Sequence, residues 1–405
     1  MVIVGTWKQR PITISVKPNC LTVSIEGVAQ TDVFSYDHAG RLWTAMLDGI
    51  SYRRGLDGKM VAKWHSAGHT RHRRRLSPDE ALQIQERARR TVADLFDAIQ
   101  SDEAHLASPL PPQDRVVFER AIAFDLARSR ADVAHYAQVY KPVGILPPDQ
   151  YMAVVLQAAE GCAFNTCTFC DFYRDRPFRI KSPDEFRTHA EAVRSFLGAG
   201  LSLRRTIFLG DANALVTPMP MLLPLMEIVH QVYDVDELGG IYAFLDGFSG
   251  EKKSPADYTE LAKRGLKRVY VGMESGNQAL LKFLKKPGEP ADAIKAVRAM
   301  KAGGVAVGVI VLVGAGGHAY TESHVRDTID AINAMQLDMD DIIYFSELVV
   351  SAGLPYARDA YQARLKPLSA GERLAQAEAI ERGLSFSPEA GLPHISRYDI
   401  REFVY

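Results

Sequence analysis

Cys162-Ala-Phe-Asn-Thr-Cys167-Thr-Phe-Cys170 is the most informative stretch of this sequence, because it places three of the four cysteines on one short segment. The spacing is C-x4-C-x2-C. Thiolates are soft ligands that suit iron–sulfur clusters. Three of them are enough to bind three irons of a cubic [4Fe–4S] cluster, which leaves the fourth iron open to another ligand. We therefore expect Cys162, Cys167 and Cys170 to be metal ligands.

A zinc site is the alternative interpretation of the same three thiols. It would need a histidine as its fourth ligand, and His189, on a predicted helix, is the nearest one downstream. Zinc sites are commonly built from two well-separated pairs of ligands, which this loop lacks. The sequence therefore favours the cluster and leaves zinc as the less favoured reading.

Composition places the chain among soluble globular proteins. It has 405 residues, of which 47% are apolar and 24% charged, and its net charge is −1. This length predicts two or three domains, and the near-zero charge gives no global attraction for nucleic acid or a membrane. No stretch approaches the roughly 20 apolar residues that span a bilayer, and the first residues lack the apolar core of a signal peptide. With few cysteines and no such signals, we expect a cytoplasmic protein without membrane insertion.

The first part of the chain is expected to be β-rich over residues 1–66, where Ile12, Ile14 and Val16 alternate with polar residues. Residues 67–148 are predicted to be a helical segment that ends in a proline-rich linker. Its first helix begins at Ser77, and its second covers about Asp114 to Tyr140.

Residues 149–355 alternate between strands and helices. Six nearly continuous apolar strands with helical crossovers predict a parallel sheet covered by helices. The fold class is therefore α/β, a partial (β/α)6 TIM-like barrel, followed by a C-terminal helical extension over residues 356–405. Barrel active sites lie at the carboxyl ends of the strands, and the cysteine loop follows the first strand there. The six predicted strands are Met152–Leu156, Thr206–Leu209, Gly240–Leu245, Arg268–Gly272, Val305–Val313 and Ile342–Val350.

The order of these motifs over residues 151–355 resembles the radical S-adenosylmethionine (SAM) superfamily, in particular the branch of the Elongator catalytic subunit and the methylthiotransferases. The resemblance implies that Cys162, Cys167 and Cys170 ligate one [4Fe–4S] cluster, whose open iron is chelated by the amino and carboxylate groups of SAM. The commonest spacing in the superfamily is C-x3-C-x2-C, so this loop is one residue longer.

The resemblance also implies contacts with the adenine of SAM. Phe169 and Phe172 stand where the superfamily packs aromatic or apolar groups near the adenine. Ile310 and Leu312 lie on the apolar strand that would run along it.

Polar contacts with SAM are implied at two strand ends. Gly210 would allow close approach of the backbone, while Asp211 and Asn213 would accept hydrogen bonds from the SAM ammonium group. Glu274 and Ser275 match the ribose-contacting segment. Taken alone, Asp211 and Asn213 would instead cap the following helix, and Glu274 would be an ordinary carboxylate at a strand end.

The activity implied by the resemblance is reductive cleavage of SAM to a 5′-deoxyadenosyl radical, which abstracts hydrogen from a substrate. Such an oxygen-sensitive enzyme needs a flavodoxin- or ferredoxin-type electron donor. The substrate, and catalytic residues that act on it, do not follow from the motifs. Outside the triad only Cys20 remains, so a second cysteine-rich cluster is not expected, which argues against a methylthiotransferase.

Two other functions stay open. One is a cluster-bearing accessory or carrier protein that binds SAM without a substrate of its own. The other is an RNA-modifying enzyme, because the basic run His69–Arg75 would attract phosphates. The run has no interleaved aromatic residues and is also typical of a solvated loop or of a site for an anionic small substrate. A small-molecule substrate is therefore favoured over RNA.

Overall fold

The computed structural model describes residues 1–66, 71–248, 253–351 and 353–405. These residues form two compact units, which we call unit 1 and unit 2. Unit 1 comprises Met1–Val143, Glu191–Arg205 and Arg401–Tyr405, and unit 2 comprises Gly144–Ala190 and Thr206–Ile400.

Unit 1 contains an antiparallel sheet of nine strands in the order β8-β7-β6-β5-β4-β3-β2-β1-β9. Its first eight strands follow one another as a meander, and the predicted alternation on β2 is confirmed because Ile12, Ile14 and Val16 are buried. The strands are β1 Val2–Trp7, β2 Arg10–Val16, β3 Leu21–Glu26, β4 Thr31–Tyr36, β5 Leu42–Leu47, β6 Ile50–Arg54, β7 Met60–His65, β8 Arg71–Arg75 and β9 His105–Leu106.

Three helices follow the meander: α1 Pro78–Gln100, α2 Pro112–Ala123 and α3 Leu126–Val139. Helix α1 begins at the predicted place, because Ser77 and Glu80 form a reciprocal capping box. The single second helix predicted over residues 114–140 is wrong. The chain leaves the helical path at Phe124, and the side chain of Asp125 accepts a hydrogen bond from the N–H of Arg128, which starts a new helix.

The basic run is a strand in the part that the structure describes, which corrects its reading as a solvated loop. Residues 71–75 form β8 and pair antiparallel with β7, whereas His69 and Thr70 lie outside the described residues. Arg71 and Arg73 make ion pairs with Glu402 at 2.9 and 3.0 Å. Much of the positive charge of this run is thus engaged within unit 1.

Unit 2 contains a parallel sheet of seven strands in the order β10-β13-β14-β15-β16-β17-β18. All six predicted strands are present, and the predicted α/β class of a partial barrel is confirmed. A seventh strand, β18, comes from the segment that was predicted to be helical, and it pairs with β17. The strands are β10 Ala153–Gln157, β13 Thr206–Gly210, β14 Ile241–Leu245, β15 Leu266–Glu274, β16 Ala306–Val313, β17 Ile342–Glu347 and β18 His394–Tyr398, and a separate ribbon pairs β11 Ala159–Glu160 with β12 Arg179–Ile180.

Helices connect the strands of this sheet. Every residue of β10 is buried, as expected for a strand covered on both faces. The helices are α4 Pro183–Leu197, α5 Met219–Val232, α6 Pro255–Lys263, α7 Gln278–Phe283, α8 Pro290–Ala302, α9 Gly317–Met335, α10 Pro355–Gln362 and α11 Ala370–Gly383. Among the described residues, none of the helices has the length and apolar character needed to cross a membrane.

Candidate cluster and cofactor site

The cysteine loop follows β10 and β11, and hydrogen bonds with Leu284 and Arg174 hold its backbone in place. The N–H and the hydroxyl of Thr168 both donate to the carbonyl of Leu284, just after α7, at 2.9 and 3.3 Å. The Arg174 guanidinium donates to the carbonyls of Cys170 and Cys167 at 2.9 and 2.8 Å. These hydrogen bonds hold the backbone that carries the thiols.

An open cavity of about 190 Å³ brings the cysteines together with the ends of neighbouring parallel strands. All three loop cysteines line it, and so do six of the nine residues predicted to contact SAM. The six are Phe169, Phe172, Asn213, Glu274, Ile310 and Leu312.

Asp211 does not line this cavity, because its carboxylate is used inside the protein. It accepts hydrogen bonds from the side chain of Gln157 at 2.9 Å and the N–H of Gly161 at 3.2 Å, and it pairs with Arg176 at 2.9 Å. Burial raises the pKa of Asp211 in spite of these favourable partners. Gly210 also lies outside the cavity lining, and a Cβ there would meet Val155 of β10 at 3.3 Å.

Ser275 is fully buried and also lies outside the cavity lining. Its hydroxyl is 2.7 Å from Nδ1 of His324 on α9, and it accepts a hydrogen bond from the N–H of Asn277 at 2.9 Å. The structure thus places Ser275 behind Glu274, where it helps to hold the strand end.

Glu274 projects into the cavity from an irregular strand end. Its φ of +62° is in the left-handed region, and the pairing of β15 with β16 shifts register between Gly272 and Glu274. A bulky residue in this conformation is uncommon and is often found at functional sites. The bulge redirects the side chain of Glu274, as bulges near active sites do.

Lys286 is a cavity residue that the sequence analysis missed. Its ammonium lies 3.4 Å from Glu274 and 4.0 Å from Asp246, and its side chain is only 7% exposed. Burial acts to lower the pKa of Lys286, but the two carboxylates outweigh it and the pKa rises above its ordinary value. Burial raises the pKa of Glu274 more than Lys286 lowers it. A lysine next to Lys285 and before Pro287 resembles a solvent-exposed turn, so its burial depends on tertiary partners.

The tail of unit 2 also reaches the cavity. Tyr398 on β18 and Ile400 line it, as do Tyr173, Tyr270 and Phe244. The sequence places these tail residues only in the C-terminal extension, because nothing in their spacing shows which strand they join.

The three cysteines of the loop are half-buried. Burial raises the pKa of Cys167 to about 11 and that of Cys170 to about 12. Both are therefore protonated near neutral pH without a metal, and binding to iron would displace the protons.

The zinc alternative would use His189 as the fourth ligand beside the three cysteines. Within the described ranges, no three histidine, cysteine or acidic side chains form a group able to hold a single metal ion. Nε2 of His189, the expected fourth ligand, accepts a hydrogen bond from the N–H of Gln157 at 2.9 Å. A cluster differs from a single ion because each thiolate binds a different iron, so the three thiols need not converge on one point.

Comparison with known families gives a match for the central part of the chain. Residues 156–332 match the Radical SAM superfamily. The match is to the superfamily and does not single out the branch named above. No curated protein matches the sequence.

Several solved structures are weakly similar to the chain. Coproporphyrinogen III oxidase (HemN) from Escherichia coli has 11% identity and a TM-score of 0.40, with 55% of this chain and 50% of that chain covered. SuiB from Streptococcus suis has 11% identity and a TM-score of 0.41, with coverage of 87% and 72%. The FeFe-hydrogenase maturase HydG from Carboxydothermus hydrogenoformans has 13% identity and a TM-score of 0.39, with coverage of 79% and 74%. This chain therefore spans half the length of the Escherichia coli protein.

Proposed function

Since residues 156–332 form a radical SAM domain, we propose that this enzyme binds one [4Fe–4S] cluster at Cys162, Cys167 and Cys170 and binds SAM in the adjoining cavity. The cluster and SAM supply reductive cleavage of the C5′–S bond, giving a 5′-deoxyadenosyl radical that abstracts hydrogen from a substrate. The task of the protein is to bind, orient and shield these groups.

The donor set fits the cluster. Three thiols of one loop line one cavity, and the loop backbone is hydrogen-bonded to Leu284 and Arg174. Arg174 binds the carbonyls of Cys167 and Cys170, so their peptide dipoles are already satisfied. Soft sulfur ligands in a largely apolar setting suit iron–sulfur chemistry.

The cavity wall supplies groups that complement SAM. Lys286 is a buried cation that would attract the carboxylate of the methionine part. Glu274 would accept hydrogen bonds from the ribose hydroxyls. Phe169, Ile310 and Leu312 offer apolar surface for the adenine.

One observation carries the proposal: the three cysteines share a cavity with Asn213, Glu274 and Ile310, which lie on or just beyond three different strands. Ligand sites of such sheets lie at the carboxyl ends of the strands. The redox partner that fits this chemistry is a one-electron donor of the flavodoxin or ferredoxin type.

Anaerobic reconstitution tests the proposal. We expect about four irons per chain, the content of one [4Fe–4S] cluster. Dithionite and SAM should then give 5′-deoxyadenosine. A variant in which Cys162, Cys167 and Cys170 are all alanine should lose both the iron and the product.

Two matched measurements sharpen this test. Cys20→Ala, which removes the buried cysteine of unit 1, should keep the full iron content. A wild-type protein that takes up zinc and no iron under these conditions would contradict the proposal. Equal product formation by the triple variant would do the same.

A further inference from the structure

Three tyrosines line the cavity, and they differ in their surroundings. The ring of Tyr173 lies beneath the guanidinium of Arg176, 5.4 Å from it. The hydroxyl of Tyr270 donates to the carboxylate of Asp149. Tyr398 comes from the seventh strand and faces the cavity beside Glu274, whose charge acts on it.

Tyr398 is also one end of a series of three tyrosines, and Tyr270 at the other end lines the cavity as well. Its ring makes an edge contact with Tyr344, with centroids 5.5 Å apart, and Tyr344 lies 6.4 Å from Tyr270. The hydroxyl of Tyr344 donates to the other oxygen of Asp149 at 2.7 Å. Tyr270 and Tyr344 thus share one carboxylate, which also pairs with Arg268 at 3.3 Å, whereas Tyr398 has a different partner, Ser346.

The surroundings keep Tyr398 in the form that can donate a hydrogen atom. Burial raises the pKa of Tyr398 above its usual value, although a hydrogen bond with Ser346 acts in the opposite direction. The side chain is therefore a neutral phenol near neutral pH. A phenol O–H bond is weaker than the C–H bond of an unactivated carbon, so a carbon radical next to it is quenched with a favourable free energy.

We propose that Tyr398 is a catalytic residue that donates a hydrogen atom to the carbon radical formed in the cavity. This inference rests on the proposed function. The phenol O–H bond breaks homolytically, a C–H bond forms, and Tyr398 is left as a neutral phenoxyl radical. One electron and one proton restore the phenol. The electron comes from a flavodoxin- or ferredoxin-type donor, the class that the proposed function already requires, and the proton comes from water.

Cleavage of SAM without substrate tests the step directly. In D₂O the hydroxyl of Tyr398 carries deuterium, and the radical formed from SAM takes it in the absence of another donor. We expect wild-type enzyme to give deuterium-labelled 5′-deoxyadenosine and Tyr398→Phe to lose the label. Tyr361→Phe, which changes an 86% exposed tyrosine on α10, should keep it.

Two spectroscopic readouts do not depend on product. In protein labelled with 3-fluorotyrosine, the ¹⁹F resonance that is absent from Tyr398→Phe should shift when SAM is added to the oxidised, cluster-loaded protein. Freeze-quenched wild-type enzyme should show a phenoxyl EPR signal that narrows with ring-deuterated tyrosine. Ser346→Ala, which removes the hydrogen-bond partner and keeps the phenol, should shift its g-values.

The outcomes separate the two proposals. A wild type that forms no 5′-deoxyadenosine overturns the proposed function and this step with it. Product that is formed but carries no deuterium, or carries as much in Tyr398→Phe, overturns the step alone. If Tyr398→Phe does not fold, the Ser346→Ala variant replaces it. EPR g-values that do not change in Ser346→Ala would then overturn the step alone.

Discussion

At the scale of single residues, the mainly apolar cavity contains one small set of charges. Lys286 lies between Glu274 and Asp246, at 3.4 and 4.0 Å from their carboxylates. Removing ions from water is costly, and the attraction between partners repays that cost only while all of them are present. The set is therefore better suited to recognising a charged ligand than to stabilising the fold.

We predict that Lys286→Met destabilises the metal-free protein by about 3 kcal/mol, because it leaves two carboxylates buried without their cation. Urea unfolding at pH 7 measures this. Lys282→Met, at an exposed position on α7, should stay within about 0.5 kcal/mol of wild type. Adding Glu274→Gln to Lys286→Met should recover part of the loss. Equal effects of the two lysine substitutions would contradict the prediction.

The buried His324 makes a prediction for pH. Burial lowers its pKa from 6.5 to about 4, so the unfolded chain binds a proton at higher pH than the folded chain does. The stability that comes from keeping His324 neutral is present above pH 6.5, and it falls by up to about 3 kcal/mol as the pH drops towards 4.

His324→Gln removes this titration and tests the prediction. The free energy of unfolding of wild type should fall more steeply than that of the variant between pH 6.5 and 4, with the gap appearing over that window. Parallel curves would show that the two states bind the proton equally. Since His324 contacts Ser275 at 2.7 Å, reduced SAM binding by the variant would also show that this pair positions Glu274.

At the scale of elements, strands that lack an apolar run are the part of the fold that the sequence does not reveal. Six strands of unit 2, among them the edge strand β10, were predicted because they carry apolar runs, and those of β10 and β16 are largely buried. β8 is a run of basic residues, and the residues of β18, His-Ile-Ser-Arg-Tyr, are exposed or half-buried. Such strands are specified by backbone pairing with a neighbour, which composition and periodicity do not reveal.

The candidate site likewise contains residues that the sequence predicts and residues that it does not reveal. The cysteine loop and the strand-end residues follow from spacing and order, so six of the predicted SAM contacts share one cavity. Lys286 and Tyr398 were missed because each reaches the cavity through a tertiary arrangement. Asp211 and Ser275 have suitable chemistry, but buried partners occupy their side chains.

The basic strand β8 yields a prediction of its own. The carboxylate of Glu402 forms ion pairs with Lys63, Arg71 and Arg73 at N···O distances of 2.5, 2.9 and 3.0 Å. Its side chain is only 12% exposed. Glu402→Gln should therefore cost about 2 kcal/mol of stability, the order for hydrogen bonds to a charged group. Urea unfolding measures the loss, and about 1 M salt should reduce the difference from wild type.

An exposed pair provides the control for this prediction. Asp48 and Arg87 pair at 2.6 Å with side chains 67% and 49% exposed. Asp48→Asn should cost less than about 1 kcal/mol, because exposed ion pairs contribute little. If Glu402→Gln lowers the stability by no more than Asp48→Asn does, the stability of β8 does not depend on the Glu402 carboxylate. The arginines of β8 would then be available for a phosphate-bearing partner.

At the scale of the whole molecule, every described residue that lines the cavity belongs to unit 2. The proposed cofactor site is thus built within one compact unit, from the cysteine loop, the strand ends and the tail. Its stability should respond to cofactors as a unit, because groups that bind the folded state alone shift the unfolding equilibrium by mass action.

This linkage gives the last prediction. SAM at about 100 times its dissociation constant should stabilise the cluster-loaded protein by about 2.7 kcal/mol. The effect should be far smaller in the variant with Cys162, Cys167 and Cys170 changed to alanine, because SAM then loses the iron that its amino and carboxylate groups chelate. Lys286→Met should lower the affinity for SAM while leaving the cluster bound, since it removes the buried cation that is proposed to attract the carboxylate of SAM. Anaerobic thermal unfolding with increasing SAM measures all three proteins. An equal rise in Tm with and without the cluster would mean that the cavity binds SAM without the iron, and the arrangement proposed for the site would then be wrong.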